Sequence, residues 1–180
     1  LPGKSFCSSR AFRWYSSAET KDVFFEYSYD KNFKNSIKVT PTCETVPKTV
    51  PTVNLGLLAG YRIINLNKYS VYLEELSSGE LYYKIHSGLS VTKTYKLNIK
   101  DIEEDFEFTV FADSQAMIKQ DYQTFNEVAG NALKDNISDF MVHLGDFVDD
   151  GNNQEYWNWV LDSEIWRQNV CIPMSGNHES

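Results

Sequence analysis

Three short polar motifs constrain this chain more than any other feature: Asp113-Ser114-Gln115, Gly145-Asp146 and Gly176-Asn177-His178-Glu179, each following an apolar run. The runs, residues 106–112, 140–144 and 170–174, read as buried strands. Successive motifs lie about one βαβ unit apart, so the spacing predicts neighbouring parallel strands with all three motifs at their carboxyl ends. That edge is where open α/β sheets bind ligands. One such motif alone is most simply a loop turn, with Gly for the bend and Asp or Asn bonding its own backbone. Three at this spacing point to a site.

The residue types narrow the chemistry. Carboxylates, amides and an imidazole gathered on one edge are hard, partly anionic ligands that suit divalent or trivalent metals and, through them, phosphate. The expected metal ligands are Asp113, Asp146 and Asn177. Asp146, at the tip of the central strand, is the candidate bridge between two ions, with Asp113 on one and the Asn177 carbonyl on the other. His178 is the expected catalytic residue, contacting phosphoryl oxygens or protonating the leaving alkoxide. His143, inside an apolar strand, and His86 read as structural histidines.

With 180 residues, 42% of them hydrophobic and 14% aromatic, the chain can bury a core in one or two domains. No apolar stretch approaches the roughly 18 residues of a membrane span. The net charge of −8 with scattered lysines gives no evident nucleic-acid-binding surface. Cys7, Cys43 and Cys171 are too few for a zinc ribbon; Cys7–Cys43 leaves a disulfide open, though ordinary buried thiols suit the three better.

Between residues 8 and 99 the chain alternates short aromatic and β-branched runs, at 11–15, 23–29, 36–42, 69–73, 81–86 and 94–99, with polar or Pro-bearing turns, the pattern of an all-β sandwich. The Leu76-to-Tyr82 spacing is that of a tyrosine corner. The charged stretch 100–105 reads as a connector, which divides the chain into a sandwich over 1–100 and a second domain over 106–180. Helical spacing after Asp121, as N-cap, and after Asn152 or Asn153 completes an order β-α-β-α-β.

The quoted motifs, with Gly145-Asp146-Phe147-Val148-Asp149-Asp150-Gly151 and the intervening Trp157-Asn158-Trp159, resemble the first three blocks of the calcineurin-like metallophosphoesterases, the superfamily that includes the purple acid phosphatases. The stretch ending in Tyr82-Tyr83 resembles the sandwich that precedes their catalytic domain. The resemblance implies a fibronectin type III-like sandwich followed by an α/β metallophosphoesterase domain cut after β-α-β-α-β. It also implies hydrolysis of a phosphate ester substrate with two metal ions, and an extracellular or cell-surface protein. Two residues depart from the pattern. Gln115 stands where the superfamily has His and purple phosphatases have Gly; with only a neutral carbonyl oxygen to offer, it is expected either to bind the metal weakly or to touch substrate alone. Asp149 stands where a purple phosphatase places its iron-binding Tyr, so no tyrosinate–iron chromophore is expected and Mn, Zn or Fe(II) suits the site.

The superfamily's later His-bearing blocks have no counterpart in this sequence, which implies the front part of a longer protein, with half a metal site, weak metal affinity and little turnover alone. An unpaired sheet edge and an uncovered apolar face would then favour self-association. A calcium loop starting at Asp146 fails, because its third and twelfth positions are Val148 and Trp157. The remaining alternative is a cell-surface binding module with a degenerate phosphoesterase domain.

Overall fold

The computed structural model describes residues 7–52, 60–101, 105–134 and 138–179. They form two compact units, Leu1–Val46 with Leu66–Asp105, and Pro47–Asn65 with Phe106–Ser180.

The first unit draws on β1 (Arg10–Ser17), β2 (Val23–Ser28), β3 (Ile37–Val39), β4 (Thr42–Thr52), β5 (Gly60–Leu73), β6 (Gly79–Ser87), β7 (Ser90–Val91) and β8 (Tyr95–Ile99). One sheet runs β1-β5-β4; the other runs β3-β2-β6, with β7 and β8 both pairing β6. Period-two burial sets the inward faces. Tyr69, Val71 and Leu73 of β5 alternate with exposed or half-buried neighbours, as do Leu81 and Tyr83 of β6. The two faces close on one core of Phe25, Val71, Leu73, Leu76, Leu81, Tyr83, Leu97 and Ile99. Phe25, fully buried, lies 4.4 Å from the ring of Phe12 and stacks on Tyr83 at 5.3 Å. Removing such a ring typically costs about 3–5 kcal/mol.

Several sequence expectations change here. The run pattern places no strand between residues 42 and 69, whereas β4 and the start of β5 occupy much of that interval. Pro47 and Pro51 hide β4, and its place at the end of the sheet order is where proline is tolerated. The described residues of Pro47–Asn65 group with Phe106–Ser180, where the sequence places them in a sandwich over 1–100. Tyr82 makes no corner: its hydroxyl bonds the Glu80 carboxylate, and it is the Tyr29 hydroxyl that accepts the Ser77 N–H, at 2.9 Å. Cys7, Cys43 and Cys171 are all free thiols, and Cys43 is exposed rather than buried.

The second unit continues with β9 (Phe108–Phe111), α1 (Lys119–Leu133), β10 (Phe140–His143), α2 (Gln154–Val160), α3 (Ile165–Gln168) and β11 (Val170–Pro173). The strands form a parallel sheet with β10 in the middle. Ala129 and Leu133 of α1 and Ile165 of α3 pack on Met141, with Phe111 and Cys171 beside them. A second cluster joins Tyr122, Phe147, Val148 and Val160 and is flanked by Trp157, Trp159 and Trp166. The α1 helix begins before Asp121, with Ile118 as a cap that makes no side-chain bond; Asp121 lies in the first turn, where its charge suits the helix dipole. Asn153 does cap α2, its side chain accepting the Glu155 N–H at 3.0 Å. Ile165 belongs to the separate α3. Among the described residues β9 ends the sheet order, and Phe106, Phe108 and Val110 are about half exposed.

On the outer side of β2, Glu26 is 8% exposed and accepts from the Ser36 hydroxyl at 2.6 Å, with His86 Nε2 at 2.7 Å and Lys84 Nζ at 3.8 Å. Burial opposes its charge, yet Ser36, His86 and Lys84 together outweigh it and hold the carboxyl below its ordinary 4.5. A carboxyl with a folded value below its unfolded one contributes stability that is complete above the unfolded value and lost as pH falls through the folded one. Between about pH 5 and about pH 3, therefore, the urea midpoint of the wild-type chain should fall more steeply than that of Glu26→Gln. Equal slopes would remove Glu26 from the acid response.

Candidate functional site

Pairing fixes the strand ends at one level. His143 lies opposite Phe111 on one side and Pro173 on the other, so the loops after β9, β10 and β11 leave the sheet together. Leu144 N–H bonds Phe111 O at 2.9 Å and Met174 N–H bonds His143 O at 2.8 Å, extending the ladder. Beyond it, Asp113 N–H bonds Gly145 O at 3.2 Å and Gln115 N–H bonds Asp146 O at 3.0 Å. The first two motifs are thereby stitched to each other through backbone alone.

Both aspartates stand in the left-handed region, Asp113 at φ 55° and Asp146 at φ 53°, with Gly145 at φ 108°. For a residue with a Cβ this conformation costs roughly 1–2 kcal/mol, and Asp is among the few that visit it. Two aspartates held there at adjacent strand ends are the kind of strain that clusters at functional sites. The loops are also too close for side chains at three glycines, Gly145, Gly151 and Gly176. A Cβ on Gly145 would lie 2.5 Å from Gly176 N, and one on Gly176 would collide with the Asp146 carboxylate and N–H.

The third motif closes on the second. Asp146 Oδ1 accepts the His178 N–H at 2.9 Å, and Gly151 N–H bonds His178 O at 2.9 Å. Glu179, to which the motif pattern assigns no role, makes the densest set of bonds. Its Oε2 accepts Asp146 N–H at 2.9 Å and Gly176 N–H at 2.8 Å, while Oε1 accepts Phe147 N–H at 2.7 Å and Val148 N–H at 3.2 Å. Only its position beside His178 could have signalled this.

His178 lies within 2.7 Å of the Asp149 carbonyl through Nδ1, so that nitrogen carries the proton in the neutral ring and Nε2 is the acceptor. The bond to Asp149, together with the charges of Asp146, Asp149 and Glu179, raises its pKa against the opposing effect of burial. His143 differs. It is fully buried, its Nδ1 accepts Gly145 N–H at 3.3 Å, and its Nε2 lies 3.0 Å from Ser114 Oγ. Ser114 gives its own proton to Phe147 O at 3.2 Å, so Nε2–H must be the donor and the ring is neutral. Burial lowers its pKa, in keeping with that form. His143 is thus a structural strut, and His86 pairs with Glu26 in the other unit.

The donor set suits a hard cation. Asp113 and Asn177 are exposed, Asp146 is half-buried, and Gln115 Oε1 is buried with no hydrogen-bond partner. A buried carbonyl oxygen with no donor, two residues after Asp113 and on a backbone bonded to Asp146, fits the chemistry of a hard-metal ligand. Among the described residues, no three His, Cys, Asp or Glu side chains gather at metal-binding spacing, so the amides of Gln115 and Asn177 would have to complete any such set.

Comparison with known proteins agrees with the motifs. Residues 106–180 match the calcineurin-like phosphoesterase family model. No curated protein matches the chain. Among solved structures, the chain is similar to a purple acid phosphatase isolated from yellow lupin (Lupinus luteus) seeds, with a TM-score of 0.65 and 16% identity over 98% of this chain. It spans 34% of that chain, about a third. At such identity the likeness shows the fold. Residues 106–180 are accordingly similar to the calcineurin-like phosphoesterases.

The glycine contacts yield a direct prediction. Gly145→Ala should destabilise the chain by roughly 1–3 kcal/mol, through left-handed strain and overpacking against Gly176, as read from urea unfolding. Gly79→Ala, also at positive φ but with nothing within 4 Å of the new Cβ, should cost less. A larger loss at Gly79 would show that loop contact is not what forbids a side chain at Gly145.

Proposed function

We propose that the 106–180 segment supplies the first metal ligands of a phosphoester hydrolase with a dinuclear site. The observation that carries this reading is the buried, partnerless Gln115 Oε1 at the strand-end level of two left-handed aspartates. Asp113, Asp146, Gln115 and Asn177 would hold two divalent ions, Mn, Zn or Fe(II), which when bound shield the anionic ester and acidify a water. Asp146 would serve both ions in this reading, and its Oδ1 is steadied by the His178 N–H.

His178 holds a proton on Nδ1 against the Asp149 carbonyl, a bond that raises its pKa, and a second proton on Nε2 would make it the imidazolium. A proton at Nε2 can pass to the leaving alkoxide, after which the ring returns to the neutral form already anchored at Nδ1. We read the first unit as the fibronectin type III-like sandwich of a purple acid phosphatase-like protein, extracellular or cell-surface. The half-exposed Phe106, Phe108 and Val110 at the sheet edge would favour self-association of this chain.

Calorimetric titration of the chain with Mn²⁺ should show binding that Asp146→Asn weakens at least about tenfold with the fold intact. In a protein that also carries the superfamily's later His-bearing blocks, the same change should abolish hydrolysis of an aryl phosphate. A well-folded Asp146→Asn protein with wild-type affinity and activity would end the bridging assignment. With Asp149 in place of a phenolate, the metal-loaded protein should also lack a purple absorption band. A band lost on mutation of some other Tyr would show the iron ligand to be elsewhere.

A further inference from the structure

We propose that Glu179 is a positioning residue, holding Asp146 in its left-handed conformation and locking the loop after β11 to the loop after β10; this rests on the metal-site reading above. The N–H groups of Asp146, Phe147 and Val148 are consecutive, and Asp146 has φ 53°. Successive N–H groups around a left-handed residue form a concave nest that takes an anion. Here the nest is filled by the chain's own carboxylate, with Oε2 on Asp146 and Oε1 on Phe147 and Val148. The same Oε2 takes Gly176 N–H, at 2.8 Å, so one side chain spans both loops.

The arrangement is reciprocal. Glu179 binds the backbone around Asp146, and Asp146 Oδ1 binds the backbone N–H of His178, next to Glu179. An Asp freed from the nest relaxes toward extended backbone, which swings its carboxylate away from the level of Asp113 and Gln115. Glu179 touches no substrate or metal in this scheme; it acts through Asp146.

Glu179→Gln and Glu179→Asp test this. Gln keeps the shape but replaces one accepting oxygen with a donor. Asp keeps the charge but is one methylene too short to reach both loops. Positioning predicts that both variants weaken Mn²⁺ binding about tenfold or more, the usual cost of losing a group that orients a ligand. In both, amide exchange at residues 146–148 and 176 should accelerate, and the Asp146 backbone chemical shifts should leave the left-handed range.

Weakened binding in Glu179→Gln with wild-type binding in Glu179→Asp would reduce the effect to charge and overturn the proposal. A lowered melting point with unchanged Mn²⁺ affinity and unchanged Asp146 shifts would make Glu179 merely structural and overturn it equally. Rapid wild-type exchange at these amides would deny the clamp itself. A wild-type chain that binds no Mn²⁺ would sink the metal reading instead; the Asp146 shifts of the two variants then decide the positioning role on their own.

Discussion

Everything at the candidate site depends on the in-register parallel pairing of β9, β10 and β11. Because Phe111, His143 and Pro173 stand side by side, each strand's next few residues emerge at the same height. Polar groups far apart in sequence then become neighbours without any long side chain reaching for another. A register slip of one residue would turn each strand's buried face outward and separate the loops at once. The core packed under β10, where Met141 meets Ala129, Leu133 and Ile165, is what makes such a slip costly.

Above the sheet, hydrophobic burial no longer decides the geometry, and directed bonds take over. Charge-assisted hydrogen bonds are worth roughly 1.5–3 kcal/mol each, and bonds that share one acceptor do not add in full. Even so, four N–H groups on the Glu179 carboxylate exceed the roughly 1–2 kcal/mol that a left-handed aspartate costs. The neutral His143–Ser114–Phe147 chain braces the other side of the same loop, and Tyr122 receives the Asp149 N–H at 3.3 Å. Strain at Asp146 is therefore supported from both flanks.

Much of the fold is legible in the sequence because its signals are local. Apolar runs leading into Asp113, Gly145-Asp146 and Gly176-Asn177 announce the parallel strands, and period-two aromatics announce most of the antiparallel ones. What escapes has no local signal. Strand β4 carries two prolines, tolerated only because the strand ends the sheet order, a fact of topology and not of composition. The Tyr29 bond to Ser77 N–H joins residues 48 apart in sequence, whereas the spacing that points to Tyr82 spans a single turn. Glu179 accepts backbone N–H groups from another loop, and backbone donors are the same at every position. Asp113, Asp146 and Gln115 can be named as candidate site residues from their types, but the left-handed backbone of the two aspartates cannot.

Charge explains why Gln is serviceable at position 115. Residues 106–180 contain 13 Asp and Glu against 3 Lys and Arg, a net charge of −10, while residues 1–105 contain 12 against 14 and carry +2. The acidity of the chain is thus concentrated in the segment that bears the site. Gathered carboxylates repel one another unless amide donors or cations offset them. Amides already serve Glu179 and, in part, Asp146, and the Asp149 carbonyl, followed by the local carboxylates, raises the pKa of His178. Another anion at position 115 would add to the repulsion, and a cation there would compete with a metal. A neutral carbonyl does neither: its buried oxygen can accept a hydrogen-bond donor or a cation without adding charge of its own.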